Sequence, residues 1–233
     1  MRFCYLAFFE KPDDPSARVA AQEIGLLRNC LGGLAGLSKA HIYTPAIASD
    51  IYTDDGAPPL LGMQLYFERI EDLEAAIGPA GALKAFSEGN ALPSLRHAKA
   101  SQQAMLNRSF PVIEEAPVSP TACSFVVHYP GPAEDLNAWL AFYVANHPPL
   151  MARFPDVREI EILSRIDWVD AMPWPRVNHI QRNRLLFDSP QALTDALHSP
   201  VRHEMRADFA KFPPYEGGNF HYPMLTEVVR PAV

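Results

Sequence analysis

The order of predicted elements gives an α+β fold: two ferredoxin-like β-α-β-β-α-β halves whose sheets pack face to face within one chain. Three observations lead there. Strand and helix patterns recur in the same order twice along 233 residues. The stretch Leu65-Tyr66-Phe67-Glu68-Arg69-Ile70-Glu71-Asp72-Leu73 overlays Leu185-Leu186-Phe187-Asp188-Ser189-Pro190-Gln191-Ala192-Leu193, with Phe67 on Phe187 at an offset of 120 residues. Between the copies, residues 111–120 hold three prolines and read as a linker. The expected units are therefore residues 1–115 and 121–233.

The first half opens with an apolar strand over 3–9. A Pro/Asp loop follows, then a helical stretch over 15–31 with a stripe through Val19, Ile24, Leu27 and Leu31. Residues 37–43 form the second strand. Residues 61–69 form the third, with Leu61, Met63, Leu65 and Phe67 on one face at period two. A helix over 71–77 and a strand over 102–110 complete this half. The second half repeats the order. Its strand over 123–129 precedes a helix over 133–146 that places Leu136, Trp139, Leu140, Tyr143 and Val144 on one face. Strands over 157–166 and 177–187, a helix over 190–197, a short helix over 202–212 and a strand over 220–229 follow.

Each half alone would leave one face of its sheet uncovered, and that face is expected to be rich in Val, Phe and Leu. Two halves in one chain can bury these faces against each other as a barrel-like pair.

Composition narrows the function classes. The chain is 48% apolar and 20% charged and carries 24 aromatic residues, enough for a sizeable core. A net charge of −7 disfavours nucleic acid, which calls for a basic stripe. No apolar run approaches the roughly 18 residues of a membrane span, so no membrane partner is expected. Cys4, Cys30 and Cys123 are few, odd in number and widely spaced, which favours a reducing, cytoplasmic setting without disulfides. The start of the chain does not read as a signal peptide.

The second half carries a family resemblance. Its segment Phe142-Tyr143-Val144-Ala145-Asn146-His147-Pro148-Pro149-Leu150-Met151 is similar to the HxPL segment that ends the first helix of EthD-like proteins. Residues 186–193, followed by Ala196-Leu197-His198-Ser199-Pro200, resemble their strand-to-helix passage. The resemblance covers residues 123–229 well and residues 1–110 only as a degenerate copy. It implies a fused version of the dimeric α+β barrel. That superfamily includes isomerases, polyketide cyclases, cofactor-free monooxygenases and haem enzymes, so it specifies fold more than chemistry. Likeness to a polyketide cyclase of this group implies a pocket between sheet and helices bordered by Tyr143, the His179 face of the third strand and the helix end at His198.

The residues themselves point to the same half. His179, Gln181 and Asn183 are expected on one strand face, in line with Leu185 and Phe187. Leu61 and Met63 stand where Gln181 and Asn183 do at the offset of 120. Buried amides and imidazoles cost a few kcal/mol unless partnered, and a pocket supplies partners, as does a satisfied polar network. His147 and His198 each sit at a predicted helix end. There they act as C-terminal caps or as acid–base groups that exchange a proton near neutral pH. Tyr129 points to the core. Trp168 lies on a proline-stiffened loop that can form a lid or an interface edge.

The expected function is therefore a cofactor-independent isomerase, cyclase or dehydratase. Its catalytic residues are expected to be His147, His179 and His198. Tyr143, Gln181, Asn183, Tyr129 and Trp168 are expected to bind a small aromatic, lactone or polyketide-like substrate. No HExxH, paired Cys or i, i+4 His pair marks a metal, and no GxGxxG, P-loop or GxSxG is present. Haem held by one of the three histidines is the alternative, and a non-catalytic ligand carrier is another. A homodimer is left open.

Overall fold

The computed structural model describes residues 1–87, 91–113 and 117–231. In chain order the elements are β1 (Phe3–Glu10), α1 (Ala21–Gly32), β2 (Leu37–Pro45), β3 (Leu61–Phe67), α2 (Ile70–Ile77), α3 (Lys84–Ser87), β4 (Lys99–Phe110), β5 (Cys123–Tyr129), α4 (Leu136–Met151), β6 (Glu159–Arg165), β7 (Gln181–Phe187), α5 (Pro190–Leu197), α6 (Pro200–Phe209) and β8 (Phe220–Val229). No helix is long and apolar enough to cross a membrane, among the described residues.

All eight strands join one closed antiparallel barrel in the order β1-β3-β2-β8-β5-β7-β6-β4. The halves meet edge to edge. β2 pairs with β8, Ala40 opposite Val229, and β4 pairs with β6, Met105 opposite Arg165. The expected barrel-like pairing of the halves is thus made by strand-to-strand pairing at both seams. Their inner faces do look at each other, but across the lumen of one sheet. Closure removes the unpaired strand edges that two open sheets would keep.

Outside the barrel, helices cover each half. In the first, Tyr5, Ala7, Leu61, Met63, Leu65 and Phe67 pack with Leu27, Leu31, Leu73 and Ile77 in an apolar core. In the second, Val127, Tyr129, Ile160, Ile162, Leu185 and Phe187 pack with Trp139, Tyr143, Leu193 and Leu197. Full burial of each Leu, Ile or Phe contributes about 1.5–3 kcal/mol.

The lumen differs from expectation: it is half polar. Residues of the opposite strand parity point inward. Cys4, Leu6, Phe8, Tyr43, Tyr66, Val126, Leu163 and Met224 supply the apolar part. Lys39, His41, Gln64, Gln103, His128, Glu161, Arg182 and Arg184 are buried beside them. Glu161 Oε2 accepts from Tyr66 Oη (2.6 Å), Arg184 Nε (2.8 Å) and Gln64 Nε2 (3.1 Å), and Arg184 Nη2 also donates to Glu159. Lys39 and Arg184 pair with Glu159 and Glu161, whereas Arg182 hydrogen-bonds, among the described residues, only with Gln103 Oε1 and the His128 ring. Gly62 faces this lumen, and a Cβ there would stand 2.7 Å from the Phe8 ring.

Two local readings are also corrected. The third strand of the second half begins at Gln181, not at residue 177, because the chain before it is diverted onto the first half: Gln102 N donates to Pro175 O and Val177 N to Gln102 O. The helix over 133–146 does not stop at His147. It starts later, with Asp135 accepting from Ala138 N (2.9 Å), and runs on through Pro148 and Pro149 to Met151. The two prolines fall in its last turn, and packing of α4 against α6 holds that turn in place.

The two long strand connections are exchanged between the halves. Residues 46–60, from the first half, lie over the helices of the second: Ser49 N donates to Thr194 Oγ1 (3.2 Å). Residues 166–180, from the second half, lie over the first: Ala171 N donates to Ile77 O (2.9 Å).

Candidate functional site

A cleft opens between the outer face of the second-half sheet and α4, α5 and α6. Its enclosed void is about 50 Å³, within about 540 Å³ of free space that includes open solvent. Phe125, Val127 and Leu185 from the sheet and Met151, Leu197 and Met205 from the helices give it an apolar lining. The polar lining is Tyr129, His147, Asn183, Arg202, Arg206, Asn219, His221 and Thr53. A mostly apolar cleft with a few convergent polar groups is the usual form of a small-molecule site.

His147 borders the cleft from α4. Its Nδ1 lies 2.7 Å from Asp208 Oδ2 on α6, and both side chains are more than nine-tenths buried. A carboxylate only accepts, so Nδ1 carries the proton and Nε2 is left as an acceptor for the cleft. Burial lowers the His147 pKa to about 4, against the opposing pull of Asp208. The imidazole is thus neutral near pH 7 and able to take a proton. Tyr143 and Phe212 pack on its ring at centroid distances of 4.8 and 5.0 Å and fix its orientation.

A phenol and amide group forms the floor. Gln181 Nε2 donates to Asn183 Oδ1 (2.8 Å), and Asn183 Nδ2 donates to Tyr143 Oη. Burial raises the pKa of both Tyr129 and Tyr143, so their hydroxyls stay protonated. Trp139 Nε1, Gln181 Oε1 and Tyr215 Oη are buried without a hydrogen-bond partner among the described residues.

The exchanged segment 46–60 roofs the cleft. Asp50 binds Arg202 through Nε (2.9 Å) and Nη2 (2.7 Å). Asp55 Oδ2 accepts from His221 N (2.9 Å) and lies 2.7 Å from His221 Nδ1. Burial alone would raise both carboxyls, but the hydrogen bonds and charges of Arg202 and His221 outweigh it and hold them low. Tyr52 Oη reaches His203 Nδ1.

The predicted site residues divide. His147, Tyr129 and Asn183 line the cleft, and Tyr143 and Gln181 stand directly behind Asn183. His179 does not join them. It precedes β7, and its ring lies 5.5 Å from that of His128, which faces the lumen on the opposite side of the sheet from Tyr129. Burial and the Arg182 charge lower its pKa to about 3. His198 caps α5 through its backbone and meets Ser49 Oγ at 3.1 Å, outside the cleft lining. Trp168 packs against the first-half core under Arg176, because its loop is exchanged.

Sequence reasoning missed Asp208, Arg202, Arg206, Asn219 and Asp50. Part of the signal was present. Arg202, Met205, Arg206 and Phe209 recur at three- and four-residue spacing and share one face of α6. Asp50 had no local signal, since it comes from the other half. Among the described residues no three His, Cys, Asp or Glu side chains converge as a metal ion needs.

No protein-family model and no curated sequence matches the chain. Solved structures do. An anthrone oxidase-like protein superposes with a TM-score of 0.59 at 13% identity, over 97% of this chain and 92% of its own. A chlorite dismutase variant from Candidatus Nitrospira defluvii superposes with a TM-score of 0.53 at 10% identity, over 96% and 90%. The fold is the dimeric α+β barrel. An EthD family protein from Bacillus halodurans aligns over 46% of this chain and 95% of its own, at 14% identity and a TM-score of 0.32. A dimeric α+β barrel in a single chain has two helix-covered outer faces, and the cleft described above lies on the second.

Proposed function

We propose that the cleft is the active site of an acid–base enzyme acting on a small aromatic, lactone or polyketide-like compound. The His147–Asp208 pair carries this reading: a neutral imidazole, oriented by a buried carboxylate, with its second nitrogen presented to an apolar cleft. Nε2 takes a proton from a carbon next to a carbonyl. The electron pair moves onto the carbonyl oxygen, and Asp208 stabilises the imidazolium. Asn219 or an Arg202 N–H meets the enolate oxygen. Return of the same proton to another carbon completes an isomerisation. Attack of the enolate carbon on a second carbonyl gives cyclisation, with His147 returning its proton to the new alkoxide. Dehydration follows when His147 takes a second proton from the α-carbon and gives it to the departing hydroxide, which leaves as water as the C=C bond forms. Tyr143 and Asn183 shape the floor against which the ring system lies.

The chain itself is read as two ferredoxin-like repeats. The support is the shared strand order, β4-β1-β3-β2 and β8-β5-β7-β6, with reciprocal exchange of the long loops.

The test uses anthrone, an aromatic ketone whose CH2 is acidified by its carbonyl, together with an aryl β-diketone, both in D2O under argon. The protein is expected to accelerate exchange of the acidic C–H, followed by NMR. His147→Ala is expected to lose about 100-fold of that acceleration or more. Equal exchange by wild type and His147→Ala rejects the reading.

A second reading rests on the same pair. An imidazole tied through Nδ1 to a carboxylate is also how a haem axial ligand is commonly held. The donor set fits: His147 would face the iron, and Arg202 and Arg206 would meet the propionates. Bound haem would supply redox chemistry. A Soret band on adding haem to wild type, absent in His147→Ala, supports this reading over the first.

A further inference from the structure

We propose that the compound taken by this cleft carries a carboxylate, received by Arg202 and Arg206 on the α6 wall. This deepens the reading of the cleft as an active site and rests on it.

The lining contains two guanidiniums and two imidazoles and no carboxylate. Three acids near it stand behind the lining, bound to its basic side chains: Asp208 to His147, Asp50 to Arg202 and Asp55 to His221. They orient these basic side chains and leave the cleft lining itself without a carboxylate, in a chain whose net charge is −7.

Arg202 shows which of its hydrogens are spare. It is 9% exposed overall, and Asp50 occupies Nε and Nη2. Among the described residues Nη1 has no hydrogen-bond partner, and it is not among the buried unpaired atoms. The side chain lines the cleft, so those N–H groups open onto it. Arg206 lies one helical turn further, at i+4, on the same face. It is exposed at the mouth, and its guanidinium rests on the rings of Tyr52 (5.6 Å) and Phe209 (5.4 Å). No hydrogen bond to a described residue engages its N–H groups, which a ligand can therefore use. Two guanidiniums with open N–H edges suit a planar, two-oxygen anion, whose charge-assisted hydrogen bonds are stronger than those of a neutral amide. An aromatic acid would place its ring among Met205, Phe125 and Leu185, with its anion toward α6.

The experiment compares matched probes on the intact chain. Binding of 1-naphthoate and 2-naphthoate is measured by calorimetry beside the corresponding naphthamides, for wild type, Arg206→Met, Arg202→Met and His147→Gln. Each carboxylate is expected to bind wild type about tenfold tighter than its amide or more, and Arg206→Met is expected to remove most of that preference. Arg206 is exposed, so its variant keeps the fold even if Arg202→Met does not. A carboxylate no better than its amide, including binding by neither, overturns the proposal. So does a preference unchanged in Arg206→Met. His147→Gln separates the two readings. Retained carboxylate preference in that variant, with no proton exchange by wild type, leaves the anion site standing and removes the base.

Discussion

His147 Nδ1 and Asp208 Oδ2 stand 2.7 Å apart although 61 residues separate them in sequence. One lies in the last turn of α4 and the other in the last turn of α6, and the packing of those two helices makes the pair. The site depends on that helix contact more than on any single strand.

The pair sets an acid limit. With its pKa lowered to about 4, His147 is neutral and active as a base above that value and protonated below it. Histidine Cε1–H shifts are expected to show one residue, absent in His147→Gln, titrating near pH 4 in place of the ordinary 6.5. Asp208→Asn is expected to cut exchange activity about 100-fold or more, since the amide no longer fixes the tautomer. A His147 titration at 6.5 would remove the dyad from the mechanism.

Stability should fall in acid for a related reason. His128, His147 and His179 all have folded pKa values below the unfolded 6.5, chiefly through burial. Each therefore stabilises the fold above pH 6.5, and that contribution is lost as pH falls toward the folded value. The melting temperature is expected to drop steadily from pH 6.5 to 4. His179→Gln is expected to show a shallower drop. Flat melting temperatures across this window would contradict neutral burial.

The lumen network is expected to be sensitive to loss of one partner. Glu161 is 3% exposed and accepts from Tyr66, Gln64 and Arg184. Glu161→Gln leaves Arg184 with Glu159 alone, and breaking a buried pair costs about 3–5 kcal/mol. Urea unfolding gives the number. A change under 1 kcal/mol would mean that water or Glu159 compensates.

The roof should loosen before the barrel does. Asp50→Asn removes the charge that holds Arg202 and is expected to raise amide hydrogen exchange at Ser49 and His221, with β5 and β7 unchanged. Uniform loosening of the strands would show instead that the segment 46–60 is part of the core.

Much of the fold was legible because strand parity and helix spacing are local. β5, α5 and β8 fall where the pattern puts them, and Leu61, Met63, Leu65 and Phe67 share the face that packs under helices. The inward parity was legible too, as Lys39, His41, Gln64, Glu161, Arg182 and Arg184, but it contradicted the expected apolar face and went unread. At the site, Tyr129 and Asn183 could be placed, since each sits within a strand whose face is fixed by its neighbours, whereas His147 was expected at a helix end and lies inside α4. His179 could not be placed, because the residues before β7 answer to Gln102 on another half and not to their own alternation.

The sequence by itself determined the elements, their faces and the half that carries amides and imidazoles, because backbone geometry turns residue spacing directly into direction. Tertiary structure alone decided which acid serves which base, which loop roofs which half and which histidines share a void. Those contacts span tens to more than a hundred residues, and chain spacing says nothing about side chains that meet only after the barrel has closed.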